Sequence, residues 1–246
     1  MTDGMYRALR SDEILSTADS LARRVQSRFP ESSLAGVASE LRDVARETQT
    51  RCTRISRPNV TLRVVVGLLL ALGVAAVVAV IINVRVTEDV WVFQNFVALA
   101  EALVADLVFI GAGVLFLVTL ETRLKRARAL DAINELRAIA HIIDMHQLTK
   151  DPEMVLSRHP RTDVSPERNM SPFELNRYLD YCSEMLAVVA KVGALYVQSF
   201  PDRDALNAVD EIENLTTSLS RKIWQKIMIL DRYARTRATD LQTTRT

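Results

Sequence analysis

The chain's three histidines, His141, His146 and His159, fall within nineteen residues, and Asp144 lies among them. Imidazole and carboxylate groups at helical spacing are the raw material of a metal site. His141 and Asp144 are three apart and share a face of any helix that carries them. His146 points elsewhere, so the i, i+4 histidine pair of helical zinc sites is missing. Nor is there the adjacent His-Asp pair of metal phosphohydrolases. A metal on His141, Asp144 and His146 would need Glu135 or Cys182 to complete it. Local hydrogen bonding is the simpler role for these groups, and the sequence assigns no metal and no cofactor.

The second chemically informative group is Asp106, a carboxylate within an otherwise apolar run. Four residues past Ala102, it lies about 6 Å inside a helix that starts there, at 1.5 Å per residue. An acidic side chain at a bilayer centre costs roughly 2.5–3.5 kcal/mol, and less near an end. Such residues usually face a bundle interior or a water path, which makes Asp106 a candidate polar or pore-lining group. The competing placement is the outer interface. Glu101, near the edge of the same run, is the lesser candidate.

Other chemistries lack their signatures. There is no Gly-rich phosphate loop, no dinucleotide fingerprint, no G-x-S-x-G elbow and no cysteine-nucleophile motif. An enzyme is therefore not the expectation. The net charge is +1, which does not point to nucleic acid. Two distant cysteines, Cys52 and Cys182, make no disulfide framework and fit a reducing compartment. The polar N-terminus has no following apolar core and does not read as a secretory signal. Sequons at Asn59 and Asn214 fall in segments expected to be cytoplasmic, so glycosylation is not expected there.

The elements that carry these residues are helices. Only seven glycines and seven prolines punctuate 246 residues, and the apolar spacing is helical through most of the chain. Val64 to Val84 is an apolar run between Arg63 and Arg85, long enough to cross a hydrocarbon core of roughly 30 Å. Gly67, Ala71, Ala75 and Ala79 recur in it every fourth residue, on one helical face where a second helix can approach closely. A second span is expected over Ala102 to Leu120, with Ala98, Ala102 and Ala105 at helical spacing beside Asp106. Residues 90–100, with Trp91, Phe93 and Phe96, either begin a long tilted helix or lie at the outer interface, and an interfacial turn or short helix feeding the span is the favoured expectation.

Basic residues flank the pair: Arg51, Arg54, Arg57 and Arg63 before it, Arg123, Lys125, Arg126 and Arg128 after it. Basic residues stay on the cytoplasmic side, which predicts a hairpin with both termini inside. Such a collar also attracts anionic headgroups.

The flanks read as amphipathic helices. Ser11 is the expected cap of a helix over 11–28 that Pro30 ends. A second, over about 32–55, carries Leu34, Val37, Leu41 and Val44, continuing through Thr48 and Cys52. Beyond the spans the helix is expected to run on to about Leu148. Residues 150–170, with Pro152, Pro160 and Pro166, read as a surface connector. Ser171-Pro172-Phe173-Glu174 is a capping box with proline at the first helical position, and Met170 with Leu175 can staple it. That helix stops before Pro201, and Asp202 caps a last one striped by Leu206, Val209, Ile212, Leu215, Leu219, Ile223, Ile227 and Leu230.

The reading is an all-α chain: N-terminal cytoplasmic helices (1–58), a two-span transmembrane hairpin (59–121, spans about 64–84 and 102–120), a C-terminal cytoplasmic helical bundle (122–235) and a frayed tail (236–246). The expected role is a membrane-anchored assembly, sensing or scaffolding module. It would contact membrane lipid, copies of itself and a protein partner, but not nucleic acid. The alternative is a homo-oligomeric channel with Asp106 near its interior.

Overall fold

The computed structural model describes residues 8–83, 93–152 and 170–243. Among them there are helices and no strand. The helices are α1 (Ser11–Arg28), α2 (Ser33–Ser56), α3 (Val60–Asn83), α4 (Phe93–Leu148), α5 (Pro172–Ser199) and α6 (Arg203–Thr243). The chain divides into two compact units, one formed by Met1–Ser56 with Arg128–Thr246, the other by Arg57–Ala127.

In the larger unit α1, α2, the second half of α4, α5 and α6 share one hydrophobic core. The sequence treats the two flanks as separate segments, and their joining is a finding of the structure. Leu34, Leu41, Ile133, Leu136, Leu186 and Ile223 are among its fully buried side chains. Polar contacts at the helix surfaces set which face meets which. Arg24 of α1 pairs with Glu184 of α5 at 2.5 Å, and Arg46 of α2 with Asp19 of α1 at 3.3 Å. Arg137 of α4 pairs with Glu211 of α6 at 2.5 Å, and farther along both helices Lys226 Nζ donates to the Gln147 carbonyl at 2.7 Å. Both numbers rise together, so α4 and α6 run parallel. Phe29, just past α1, meets Tyr178 and Tyr181 of α5 edge-on at 5.5 and 6.3 Å, a favoured aromatic geometry.

The helix ends follow local chemistry. At Ser171 the hydroxyl accepts from the Glu174 amide, and the Glu174 carboxylate accepts from the Ser171 amide at 2.8 Å. Hydrogen bonding from Ser171 holds the Glu174 carboxyl below its ordinary range. Met170 and Leu175 both pack into the core beside this box. Asp202 Oδ1 accepts from the amides of Asp204 and Ala205 and starts α6 as expected.

Three expectations need correction. The bounds of α1 are the expected 11–28, but Ser11 does not cap it: the Ile14 amide bonds to the Arg10 carbonyl, so Arg10 is the cap and Ser11 the first helical residue. Arg10 instead pairs with Asp12 and Glu13 across the first turn. Residues 93–101 are no separate turn or short helix, because α4 is one helix of 56 residues from Phe93 onward, the long-helix alternative; residues 90–92 lie outside the described ones. Leu206 is exposed, and Ala205 takes the buried position beside it, because the core-facing row of α6 runs through Ala205, Val209, Ile212 and Thr216. Past Thr236 the backbone is helical to Thr243, and residues 244–246 lie outside the described ones. Side-chain bonds such as Arg235 to Asp231 and Thr236 to the Arg232 carbonyl brace the turns leading there. His159 and most of the 150–170 connector lie outside the described residues.

Candidate functional site

The smaller unit is built from α3 and the first part of α4. Two helices here are long and apolar enough to cross a membrane. The 24 residues of α3 rise about 36 Å at 1.5 Å per residue, against roughly 30 Å of hydrocarbon. None of the apolar windows is buried, unlike the core helix of a soluble domain. Leu68, Leu107 and Phe109 point outward, Phe109 at 78% exposure. Their surface is too apolar and too continuous to suit water.

The pair is held at one seam. Leu62, Val66 and Gly73 of α3 are half-buried, as are Ile110, Val114, Leu117 and Glu121 of α4. A Cβ on Gly73 would stand 2.5 Å from Ile110 Cδ1 and 3.3 Å from its Cγ1, so the missing side chain is what lets the helices approach there. At one end the Glu121 carboxylate accepts from the Asn59 amide at 3.0 Å and pairs with Lys125 at 2.9 Å.

Gly67, Ala71, Ala75 and Ala79, the row that the sequence singles out, are exposed. At 100° per residue the row is centred on the face of α3 opposite Leu62, Val66 and Gly73. The chain's own α4 therefore occupies the seam at Gly73 and not the face of the four-residue row. Asp106, one turn before Ile110 on α4, is exposed, as are Glu101 and Ala105. The side chains of Ala98 and Ala102 lie outside the described ones.

These contacts give a separable test. Gly73→Leu should force α3 and α4 apart and cost about 1–3 kcal/mol, as overpacking does. Ile110→Ala in the same chain should recover much of the loss. Gly67→Leu should leave the pair intact, since a Cβ at Gly67 meets nothing within 4 Å. Thermal midpoints of the detergent-solubilised protein distinguish these; equal losses at Gly67 and Gly73 would refute the seam.

Among the described residues the histidine cluster does not assemble. His141 is exposed, while the His146 ring nitrogens bond to the Ile142 carbonyl at 2.8 Å and the Ser33 hydroxyl at 3.0 Å. The Asp144 carboxylate accepts from Gln147 Nε2 at 2.6 Å. Among the described residues no three His, Cys, Asp or Glu side chains converge as metal ligands. Glu135, a possible fourth ligand by sequence, is engaged by Arg51, which also pairs with Glu47 at 2.6 Å.

That ion pair belongs to a polar tie which the sequence does not reveal. The Tyr196 hydroxyl of α5 lies 3.1 Å from the Thr48 hydroxyl of α2, which donates onward to the Val44 carbonyl at 2.8 Å. Arg51 continues the line to Glu135 of α4, and its hydrogen bond with Glu135 is the main cause that raises its guanidinium above the ordinary range. Three helices are thus joined through one buried tyrosine. Burial raises the Tyr196 phenol, while Thr48 and Arg51 act the other way.

The two thiols are dull. Burial pushes Cys182 up to about 12 and raises Cys52, whose Sγ lies 3.6 Å from the Leu195 carbonyl. Thiolate is the reactive form, so neither is poised as a nucleophile at neutral pH.

Compared with protein-family models, curated proteins and solved structures, the chain gives no match in any of the three.

Proposed function

We propose that this chain is a membrane-anchored helical assembly module. The α3–α4 pair crosses the bilayer as a hairpin, and the five-helix unit stands on its cytoplasmic side. The carrying observation is that the segments before and after the apolar pair share one core. Segments that fold together must lie on one side of a membrane, and two crossings between them satisfy this. The basic residues flanking both spans favour the cytoplasmic side. The helical unit then serves as a platform for protein contacts, anchored in lipid and multiplied by self-association through the open row on α3. No reaction is assigned to it.

Topology can be read with an impermeant thiol reagent on intact cells. Cysteine introduced at Glu88 should label, and cysteine introduced at Thr243 should label only after lysis. The native thiols give little background at neutral pH, because burial disfavours both thiolates. Labelling at Thr243 and not at Glu88 in intact cells would end the proposal.

A second reading rests on Asp106. A carboxylate exposed on the hairpin is costly against lipid, and copies arranged around it would place it on a shared polar interior. Two spans cannot enclose a water path alone, so a channel needs several copies.

A further inference from the structure

The larger unit has a concave feature between α2 and α4. A cavity of about 320 Å³ is lined by Arg51, Arg54 and Ile55 of α2 and by Arg128, Asp131, Ala132 and Glu135 of α4. That volume sits at the lower edge of the roughly 300–1,000 Å³ of small-ligand sites. Its arginines are not equivalent. Arg51 is fixed by Glu135 and Glu47. Arg54 and Arg128 form no ion pair among the described residues. They leave two guanidinium forks on facing helices, over buried Ile55 and Ala132. Planar forks of this kind grip the oxygens of a phosphate in pairs.

The sequence places this cavity where the chain meets lipid. Arg54 is six residues before Val60, where α3 begins, and Arg128 eight residues after Leu120. A cytoplasmic leaflet offers phosphodiester headgroups at such positions.

We propose that Arg54 and Arg128 bind the phosphodiester of an anionic phospholipid, and that Asp131 selects a headgroup bearing hydroxyls, such as glycerol. Asp131 is a carboxylate on the cavity wall, one helical turn from Arg128. It repels a bare phosphate and accepts from a hydroxyl. With Glu135 held by Arg51, the remaining lining charges are two positive and one negative, which suits a singly charged diester. The inference rests on the membrane reading above and adds the ligand class and the residues that hold it.

The test uses the full chain in a neutral detergent and measures binding of short-chain phosphatidylglycerol. Phosphatidylcholine of the same chain length and glycerol phosphate without acyl chains are the comparison ligands. Phosphatidylglycerol should bind about tenfold or more tightly than either, a difference of one decade in Kd. Arg54→Gln with Arg128→Gln should lose about tenfold for phosphatidylglycerol, and lysine at both positions should recover part of it. Asp131→Asn should narrow the preference for phosphatidylglycerol over phosphatidic acid. Both arginines are exposed, so unchanged helicity and thermal midpoint without lipid will confirm that the variants fold. Equal binding by wild type and the glutamine double variant would overturn the site. Equal binding of phosphatidylcholine would overturn the phosphate selection. Glycerol phosphate binding as tightly as the lipid would overturn the lipid source. Alkaline carbonate extraction of cell membranes tests the membrane reading separately: retention in the pellet with no lipid discrimination removes the site alone.

Discussion

Leu41→Ala should destabilise the protein by about 2–5 kcal/mol, the range for truncating a buried leucine whose cavity is only partly refilled. Leu41 is 1% exposed, on α2, in the same core as Ile133 of α4, Leu186 of α5 and Ile223 of α6. The location of the loss matters more than its size. With one shared core, a cavity under α2 should reduce amide protection on α5 and α6, far away in sequence, by the same free energy as on α2. Ile223→Ala should do the reverse and loosen α1 and α2. Hydrogen exchange resolved by peptide, on the detergent-solubilised full chain, reads both. Exchange confined to α1 and α2 in Leu41→Ala would show that the two flanks fold independently, which would also remove the main support for placing both on one side of the membrane.

The second large effect is expected on α3. Ala75→Leu should convert an oligomer into a smaller species while the protein still inserts, since leucine is at least as apolar as alanine and fills the groove that close approach requires. Ala75 is exposed on the face away from the Gly73 seam, so the substitution should leave the hairpin itself intact. The wild-type mass by light scattering decides whether there is an oligomer to lose. A monomeric wild type removes both self-association and the channel reading. An oligomer that survives Ala75→Leu moves the interface off the α3 row. If the oligomer depends on Ala75, then Asp106→Asn separates the two roles: altered cation flux in liposomes supports a pore, whereas no flux in either form leaves an assembly module.

What the sequence reveals and conceals here follows from the range of each interaction. Ser171 with Glu174, and Asp202 ahead of α6, are legible because a cap is completed within three residues. The apolar runs are legible because length and composition alone make a span. The period-four row is equally visible, yet it does not tell which face α4 will take. Gly73, outside that row, marks the chosen seam, and its signal in sequence is only that of one more glycine. Stripes on α2 and α6 tell which faces are buried but not against what. A joint core for both flanks therefore had to come from tertiary structure. Arg54 and Arg128 illustrate the same limit. Their charge and position carry the expected orientation of a hairpin, but only the packing of α2 on α4 makes them walls of one cavity.

The shared core also sets an order of events during synthesis. α1 and α2 are complete once Ser56 has been made, but α5, against which Tyr178, Tyr181 and Tyr196 hold them, ends roughly 140 residues later. At about 5–20 residues per second the first two helices wait on the order of ten seconds or more, while α3 and α4 are being made. During that interval α1 and α2 have only each other and the growing α4 to pack against, and the faces that α5 covers are without their partner. The nascent chain is then most exposed to aggregation and most in need of a chaperone. A stop placed after α4 should yield a membrane-inserted fragment that proteases digest at α1 and α2, and lengthening the chain through α5 and α6 should restore protection.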